Sequence, residues 1–248
     1  MLERNRLQKI AVLLTTSAAL AVSVSPAAAA ARTPKCFGQS ATIVGTNGPD
    51  RLVGTNGPDV IVGLGGDDHM SGRHGNDLMC GGSGNDFVDG KFDDDKLDGG
   101  PGKDILHGSD QNDLVLGGKG NDTLLDGRRT TSGDTVKGGP GNDAILGGLV
   151  IDGGSGNDLI RATDYVDNLQ VTSLDGGPGD DTIYGDEDST PLDSSDLIHG
   201  GSGADQLFGL SGDDTLYGDG GNDNLDGGSG NDTCVQGPGT GTLTGCEM

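Results

Sequence analysis

The stretch "GGSGNDFVD", residues 81–89, decides how this chain folds, because it returns as "GGPGNDAIL" at 138, "GGSGNDLIR" at 153 and "GGSGNDTCV" at 227. Units of nine residues follow one another without a gap, beginning at residues 45, 54, 63, 72, 81, 90, 99, 108 and 117. Their sixth position is always aspartate: Asp50, Asp59, Asp68, Asp77, Asp86, Asp95, Asp104, Asp113 and Asp122. Their eighth position is always apolar: Leu52, Ile61, Met70, Met79, Val88, Leu97, Leu106, Val115 and Leu124.

Each position of the unit has a physical reason. Glycines at positions one, two and four allow positive φ angles and close backbone approach in a six-residue turn. Positions seven to nine form a short strand whose middle side chain faces away from its two neighbours. One apolar residue per unit buries little surface, so the coils must stack to make a core. The sequence therefore predicts an all-β solenoid.

The period becomes irregular between residues 126 and 199. Units of variable length occupy 126–137, 147–152, 162–175 and 185–199, and each ends in a strand with a central apolar residue. Those residues are Val136, Ile151, Leu174 and Ile198. With these units included, residues 45–235 make about ten coils of two units each, and alternate units lie on two edges, here called the odd edge and the even edge.

All irregularity falls on the even edge, which supports this assignment. The odd edge carries Asp50, Asp68, Asp86, Asp104, Asp122, Asp143, Asp158, Asp181, Asp205 and Asp223. The even edge carries Asp59, Asp77, Asp95, Asp113, Asp214 and Asp232. Two irregular units have Leu149 and Thr172 in place of the aspartate, and Asp134 and Asp196 lie in lengthened loops, so the prediction leaves them out. Asp93 and Gln111 replace the fourth-position glycine in the units at 90 and 108, which counts against sites at those two turns.

The repeat resembles the RTX, or hemolysin-type, calcium-binding nonapeptide over residues 45–235, and its pattern G-G-x-G-x-D-x-U-x is a known calcium-binding β-helix repeat. The resemblance implies a right-handed parallel β-roll with two nonapeptides per coil. It also implies Ca²⁺ held between turns 18 residues apart, by aspartate carboxylates and backbone carbonyls. The sixteen aspartates of the two edges are the expected ligands.

Electrostatics favour a metal site over a simple turn. Stacked coils are about 4.8 Å apart, and two like charges at about 5 Å repel by about 3 kcal/mol at an effective dielectric of 20. Ca²⁺ takes hard oxygen ligands and would remove that repulsion. Asx turns explain a single "GND" but not the whole ladder. Ten stacked odd-edge turns would make about nine sites, and we expect the metal-free chain to be largely unfolded.

Residues 1–31 have the features of a secretory signal peptide. Arg4, Arg6 and Lys9 precede an apolar run from Ile10 to Val24, and small residues follow it. A membrane anchor is the alternative, but the run is shorter than the roughly 20 residues that span a bilayer. The formal net charge of −24 argues against nucleic acid or an anionic membrane as partner and for cations. We therefore expect a secreted chain without membrane insertion.

Four cysteines in an exported chain predict disulfides. We favour Cys234–Cys246, which would fasten a C-terminal cap of residues 236–248 over the open end of the solenoid. Cys36–Cys80 is the weaker pairing; Cys36 lies in the N-terminal segment 32–44, a degenerate unit whose Ile43 would enter the core. A small core residue is the alternative role for Cys234.

The predicted function is non-catalytic calcium binding by a monomer. His69, His74, His107 and His199 occupy different repeat positions and predict no zinc site. One alternative is a structural or adhesive envelope protein that binds a partner through the irregular edge. Another is a polysaccharide-active β-helix enzyme, which would need a groove of aligned aromatic and basic residues; Tyr165, Tyr184 and Tyr217 are too few.

Overall fold

The computed structural model describes residues 33–126, 133–162, 173–185 and 195–247. The chain divides into two units, Met1–Arg32 and Thr33–Met248, and all described residues belong to the second. The predicted signal peptide and the interiors of three irregular even-edge loops therefore lie outside the described residues. Of the residues that the structure describes, none belongs to a helix that could cross a membrane.

The described residues form short strands and no helix. In chain order the strands are β1 (Lys35–Cys36), β2 (Gln39–Ser40), β3 (Ile43–Val44), β4 (Arg51–Val53), β5 (Val60–Gly65), β6 (His69–Arg73), β7 (Leu78–Ser83), β8 (Phe87–Lys91), β9 (Lys96–Pro101), β10 (Ile105–Ser109), β11 (Leu114–Lys119), β12 (Thr123–Leu125), β13 (Thr135–Pro140), β14 (Ala144–Leu146), β15 (Val150–Ser155), β16 (Leu159–Arg161), β17 (Ser173–Pro178), β18 (Thr182–Tyr184), β19 (Leu197–Gly203), β20 (Gln206–Phe208), β21 (Thr215–Tyr217), β22 (Gly220–Gly221), β23 (Asn224–Asp226), β24 (Thr233–Val235) and β25 (Thr242–Thr244).

Two parallel sheets face each other. Sheet I has the order β25-β23-β20-β18-β16-β14-β12-β10-β8-β6-β4, and its strands follow the odd-edge turns. Sheet II has the order β24-β21-β19-β17-β15-β13-β11-β9-β7-β5-β3, with β22 paired to β19. From β3 to β21, consecutive strands of the chain thus alternate between the sheets, and strands of successive coils pair with each other. The predicted parallel β-roll with two units per coil is confirmed.

The irregular units keep the register. Val136 pairs with Ile151, Ile151 with Leu174, and Leu174 with Ile198. On sheet I, Ile145 pairs with Ile160 and Ile160 with Ile183. The turns change length while the strands stay aligned, so the assignment of units to two edges is confirmed.

The core is a double column of eighth-position side chains. The cluster consists of Leu52, Ile61, Met70, Met79, Val88, Leu97, Leu106, Val115, Leu124, Val136, Ile145, Ile151, Ile160, Ala162, Leu174, Ile183, Ile198, Leu207, Leu216 and Leu225. Nearly all of them have less than a tenth of their surface exposed, and the flanking seventh and ninth positions are mostly more exposed. Each coil therefore gives about two side chains to a thin core, which agrees with the low hydrophobic content of 31%.

The turn glycines serve two different needs. From the unit at 63 onward, nearly all residues at positions two and four have positive φ, as at Gly82 (109°) and Gly84 (134°), whereas Gly48 and Gly57 of the first two units do not. In the regular units the glycine at position one does not have a positive φ, so our expectation of a positive φ there was wrong. A side chain at position one would instead strike the aspartate of the same turn. Asp93 (76°) and Gln111 (82°) adopt the same left-handed conformation at position four, which costs roughly 1–2 kcal/mol per residue without glycine.

Both ends of the roll carry a disulfide. The predicted pairs Cys36–Cys80 and Cys234–Cys246 are confirmed, with Cα–Cα distances of 5.7 and 5.8 Å. At the N-terminus, the β1–β2 hairpin packs Cys36 against Val60 and Val62 on the outer face of sheet II. At the C-terminus, β25 pairs with β23 as one more strand of sheet I, and Leu243 remains 49% exposed. Residues 236–247 thus form a further degenerate turn and strand.

Stacking of the turns predicts a position-dependent cost for adding a methyl group. Gly84→Ala should destabilise the folded protein by more than about 1–2 kcal/mol, because residue 84 has a positive φ and its Cβ would strike the carbonyl oxygen of Gly66 in the neighbouring coil. Gly57→Ala is the matched control at the same repeat position, since a Cβ there meets nothing within 4 Å. Urea unfolding in calcium measures both; equal midpoints would contradict the stacking geometry.

Candidate metal centre

The sixth-position aspartates form a ladder along the odd edge. From Asp68 onward, one carboxylate oxygen of each aspartate accepts a hydrogen bond from the backbone N–H of the aspartate one coil earlier, at 2.7–3.1 Å. The ladder runs without interruption through Asp50, Asp68, Asp86, Asp104, Asp122, Asp143, Asp158, Asp181, Asp205 and Asp223. The fixed register of sheet I holds the turns in line, although the chain distance between them varies from 15 to 24 residues.

The even edge has the same ladder in two blocks. The first runs through Asp59, Asp77, Asp95, Asp113 and Asp134, and the second through Asp196, Asp214 and Asp232. Two units lie between these blocks. The first has Leu149 at the ladder position, and Thr172 of the second lies outside the described residues. Glu247 accepts from the backbone N–H of Asp232 and extends the second block.

Sequence reasoning missed Asp134 and Asp196. Both are buried and take part in the ladder, since Asp134 accepts from the N–H of Asp113 at 2.6 Å and the N–H of Asp196 donates to Asp214 at 2.8 Å. Each lies directly before its strand, at the same number of residues as in the regular units, and this offset was the signal in the sequence. A lengthened loop does not displace the aspartate, because the strand directly after it fixes the backbone.

The second carboxylate oxygen of most ladder aspartates is buried and has no hydrogen-bond donor among the described residues. This holds for Oδ2 of Asp68, Asp77, Asp86, Asp95, Asp104, Asp113, Asp122, Asp143, Asp158, Asp181, Asp205, Asp223 and Asp232. A buried acceptor without a donor is costly. A repeated set of such oxygens therefore points to a ligand that the polypeptide does not provide.

A backbone carbonyl of the next coil converges on these oxygens, with the exception of that of Asp113. A Cβ built on Gly153 would lie 2.6 Å from Oδ2 of Asp158 and 2.8 Å from the carbonyl oxygen of Gly176. At Gly117 the corresponding distances are 2.7 Å to Asp122 and 2.6 Å to the carbonyl oxygen of Gly138. Position one must be glycine because two oxygens from successive coils meet there. Carboxylate and carbonyl oxygens are the ligands that Ca²⁺ takes, so the residues fit that ion.

Burial opposes ionisation of the ladder. Desolvation raises the pKa of Asp95 and Asp113 to about 8 and that of Asp104 to about 7. It also raises the pKa to about 6 in Asp77, Asp143, Asp158, Asp181 and Asp205. Backbone N–H donors lower these pKa values and neighbouring ladder aspartates raise them. Without a cation, the fold thus favours the neutral carboxyl group.

A second ladder, which sequence reasoning also missed, lies at position five. The side-chain oxygen of Asn85 accepts from the N–H of Lys103, that of Asn142 from Asn157, and that of Asn157 from Asp180. These side chains reach toward the following coil, whereas the sixth-position carboxylates reach toward the preceding one. The recurrence of Asn or Asp at position five was the signal. The role is structural, because each of these three oxygens meets a backbone donor.

Other candidate chemistry is dispersed. Nδ1 of His199 lies at hydrogen-bond distance, 2.8 Å, from Oδ2 of Asp219, and the ring stacks on Tyr217 on sheet II. His69 and His107 instead lie beside Phe87 on sheet I. Across residues 33–126, 133–162, 173–185 and 195–247, the one group of three metal-ligating side chains within 4.8 Å is Asp113, Asp126 and Asp134.

The tyrosines share no groove in the described part. Tyr184 stacks on Phe208 on sheet I, with the guanidinium of Arg161 4.5 Å from the ring centre, and Tyr217 is on sheet II. Tyr165 lies outside the described residues.

The model of the RTX calcium-binding nonapeptide repeat matches residues 44–79, 53–88, 89–124, 130–149, 150–169, 173–189 and 195–234. These segments cover more than half of the chain, which therefore belongs to the RTX calcium-binding nonapeptide-repeat family. No curated protein matches the chain. A solved structure with similarity is the crystal structure of a hyperactive, Ca²⁺-dependent, β-helical antifreeze protein from an Antarctic bacterium, with 19% identity, a TM-score of 0.40, and coverage of 80% of this chain and 81% of that one.

The raised pKa values predict the pH dependence of the metal-free chain. An unfolded aspartate has a pKa near 3.8 and the folded ones lie as high as about 8, so the folded state binds more protons between these limits. Stability then falls as pH rises from about 4 to about 8. Circular dichroism in calcium-free buffer, with metal removed by chelating resin, should show more β-sheet at pH 5 than at pH 8. More β-sheet at pH 8 than at pH 5 would contradict this account.

Proposed function

We propose that the protein is a secreted, non-catalytic calcium-binding β-roll that folds when it binds calcium. The observation that carries this proposal is the unbroken odd-edge ladder, in which each buried aspartate has one oxygen bound by the backbone and most have a second oxygen without a donor. Membership of the calcium-binding repeat family supports the identity of the ion.

The odd edge would hold about nine ions, one between each pair of successive turns. Each interior aspartate then belongs to two sites, because one turn faces a neighbour on either side. The proposed ligands are Asp50, Asp68, Asp86, Asp104, Asp122, Asp143, Asp158, Asp181, Asp205 and Asp223 with the carbonyls of the glycine turns. The even-edge aspartates Asp59, Asp77, Asp95, Asp113, Asp214 and Asp232 would hold further ions within their two blocks.

Calcium-dependent folding follows from the balance of forces in the roll. The core has about two apolar side chains per coil, which gives limited hydrophobic stabilisation. Ionised ladder carboxylates at neutral pH oppose it through desolvation and mutual repulsion. A ligand that binds only the folded state adds its binding free energy to stability. Calcium therefore turns the ladder's contribution to the stability of the fold from unfavourable to favourable.

Secretion is supported by the two disulfides, which persist in oxidising compartments, and by the predicted signal peptide. The monomeric state stays a prediction. Binding of a partner through the irregular even-edge loops stays an alternative, since the loop interiors lie outside the described residues.

Calcium should induce the fold. The chain in EGTA should lack most of its β-sheet circular dichroism at pH 7.5 and gain it with millimolar calcium, because ion binding offsets the charge of the ladder. Magnesium at equal concentration is the control, since its smaller octahedral shell suits this carbonyl-rich turn less well. A spectrum that is the same in EGTA and in calcium would refute the proposed dependence.

Two neighbouring aspartates of one turn distinguish the loss of a ladder carboxylate from the loss of a charge elsewhere in the turn. Asp68→Asn should remove one or two bound ions in native mass spectrometry, because it replaces the carboxylate that carries the buried Oδ2 by a neutral amide, which offers one ligand oxygen fewer and no negative charge. Asp67→Asn removes the same charge at position five, where Oδ1 accepts from the N–H of Asn85 and an amide oxygen can do the same. Its ion count should equal that of the wild type; equal losses in both variants would contradict the assignment.

A further inference from the structure

The first turn of each edge satisfies its ladder aspartate with donors of its own. In the units at 45 and 54 the second position is threonine, which no later unit of nine residues has there. The backbone N–H and the hydroxyl of Thr46 both donate to Oδ2 of Asp50, at 2.5 and 2.9 Å. Those of Thr55 donate to Oδ2 of Asp59, at 2.6 and 2.9 Å. The carboxylate oxygen that lacks a donor in most other turns therefore has two donors here.

The backbone at position two directs these hydroxyls. Thr46 and Thr55 do not have a positive φ, and each hydroxyl turns toward the aspartate of its own turn. Ser109 has a hydroxyl at the same repeat position, but its φ is 86° and its hydroxyl donates to Asp89 instead, at 3.2 Å. Asp113, the ladder residue of that turn, keeps a buried Oδ2 without a donor among the described residues. A hydroxyl at position two thus reaches the ladder only with the backbone conformation of the first two units.

The N-terminal segment completes this end of the even ladder. The hydroxyl of Thr42 donates to Oδ1 of Asp59 at 3.2 Å and accepts from the backbone N–H of Val60 at 2.9 Å. Asp59, which is only 7% exposed, thus has donors at both carboxylate oxygens. The first coil, residues 45–62, therefore stacks on the second, residues 63–80, without leaving a buried ladder oxygen of its own unsatisfied.

Two further interactions stabilise the first two coils. A second apolar cluster lies on the outer face of sheet II, where Val60 and Val62 are buried with Cys36, and Leu64 and Leu78 pack against them. The disulfide from Cys36 joins the N-terminal hairpin to the last residue of the second coil, 44 residues along the chain. Such a bond restricts the unfolded chain, and more so when the closed loop is long. Among the described residues, the later coils have only the central core.

The need for a cation begins where the second coil meets the third. Oδ2 of Asp68 and that of Asp77 are buried without a donor among the described residues, and each faces a carbonyl oxygen of the third coil, that of Gly81 or Gly90. Most later turns repeat this arrangement. Stability that does not depend on a cation is therefore concentrated in residues 33–80.

We propose that residues 33–80 form a template that stays folded without calcium, because Thr46 and Thr55 supply donors where most other turns need the ion. This inference rests on the proposed calcium-dependent folding and confines that dependence to the coils beyond residue 80. In a solenoid each repeat contacts only its neighbours, so coils can add one after another to an existing edge. Strands β6 and β7 present that edge, and calcium then adds coils from the N-terminal end of the roll toward its C-terminal end.

Hydrogen exchange of the full, oxidised chain at pH 7.5, measured by mass spectrometry, tests the template. In EGTA, the amides of residues 42–80 should exchange at least about tenfold more slowly than those of residues 99–125, because only stably hydrogen-bonded amides are protected. In millimolar calcium both segments should be protected. Thr46→Val combined with Thr55→Val, which removes both hydroxyls and keeps the side-chain shape, should abolish the difference in EGTA. Ser40→Ala is the control, because it removes an exposed hydroxyl from the same segment, and the difference should remain.

The two disulfides provide a matched pair of variants. Cys36→Ser combined with Cys80→Ser should lose the protection of residues 42–80 in EGTA, because the N-terminal hairpin is no longer fastened to the second coil. Cys234→Ser combined with Cys246→Ser removes the disulfide at the other end of the roll and should keep that protection. The reverse result would overturn the template.

The outcomes separate this inference from the general function. Equal exchange of the two segments in EGTA, in a wild-type chain that calcium protects, would overturn the template while the calcium-dependent fold stands. Protection of residues 42–80 that persists without both threonine hydroxyls would do the same. Protection of both segments in EGTA would refute the calcium-dependent fold and the template with it. Circular dichroism in millimolar calcium first establishes that each variant folds, and the wild-type comparison decides the proposal if a variant does not.

Discussion

The structure depends on how buried aspartate oxygens are neutralised. Beyond the first turn of each ladder, each carboxylate has one oxygen held by a backbone N–H of the preceding coil and, at most positions, a second that faces a carbonyl of the following coil without a donor. Two oxygens so placed repel each other unless a proton or a cation lies between them. The raised pKa values show that, without a cation, burial favours the proton. A hard divalent ion satisfies the same oxygens at neutral pH.

This constraint explains the composition of the chain. Glycine at position one leaves room for the converging oxygens, and glycine at positions two and four gives the backbone the φ angles that turn its carbonyls inward. A thin core follows, because six of nine residues serve the turn and only one of the three strand residues faces inside. The disulfides then fasten the two ends of the roll.

The strict period made most of the fold predictable. The aspartates and eighth-position residues fixed the strand positions, and the concentration of irregular units on one edge fixed which turns stack, as the pairing of Val136, Ile151 and Leu174 confirms. Local patterns could not show that Asp134 and Asp196 keep their places, because only the strand pairing of the whole sheet holds them there. They also did not show that Asp93 and Gln111 adopt positive φ, since neighbouring coils impose that conformation.

The ladder aspartates were predictable from the sequence, but the contacts around them were not. Prediction of the position-five ladder requires the direction of each side chain, and prediction of the cluster around Asp126 requires the register of an irregular turn. Neither follows from the spacing of residues along the chain. Within the described residues, the departures from the consensus thus follow the same stacking rule as the regular units.

An anomalous difference map from crystals grown in calcium would test the central claim most directly. The account predicts a row of peaks along the odd edge, spaced by about 4.8 Å, the separation of stacked strands, each between the sixth-position aspartates of successive coils. A map of the folded protein with no peaks between these aspartates would contradict it.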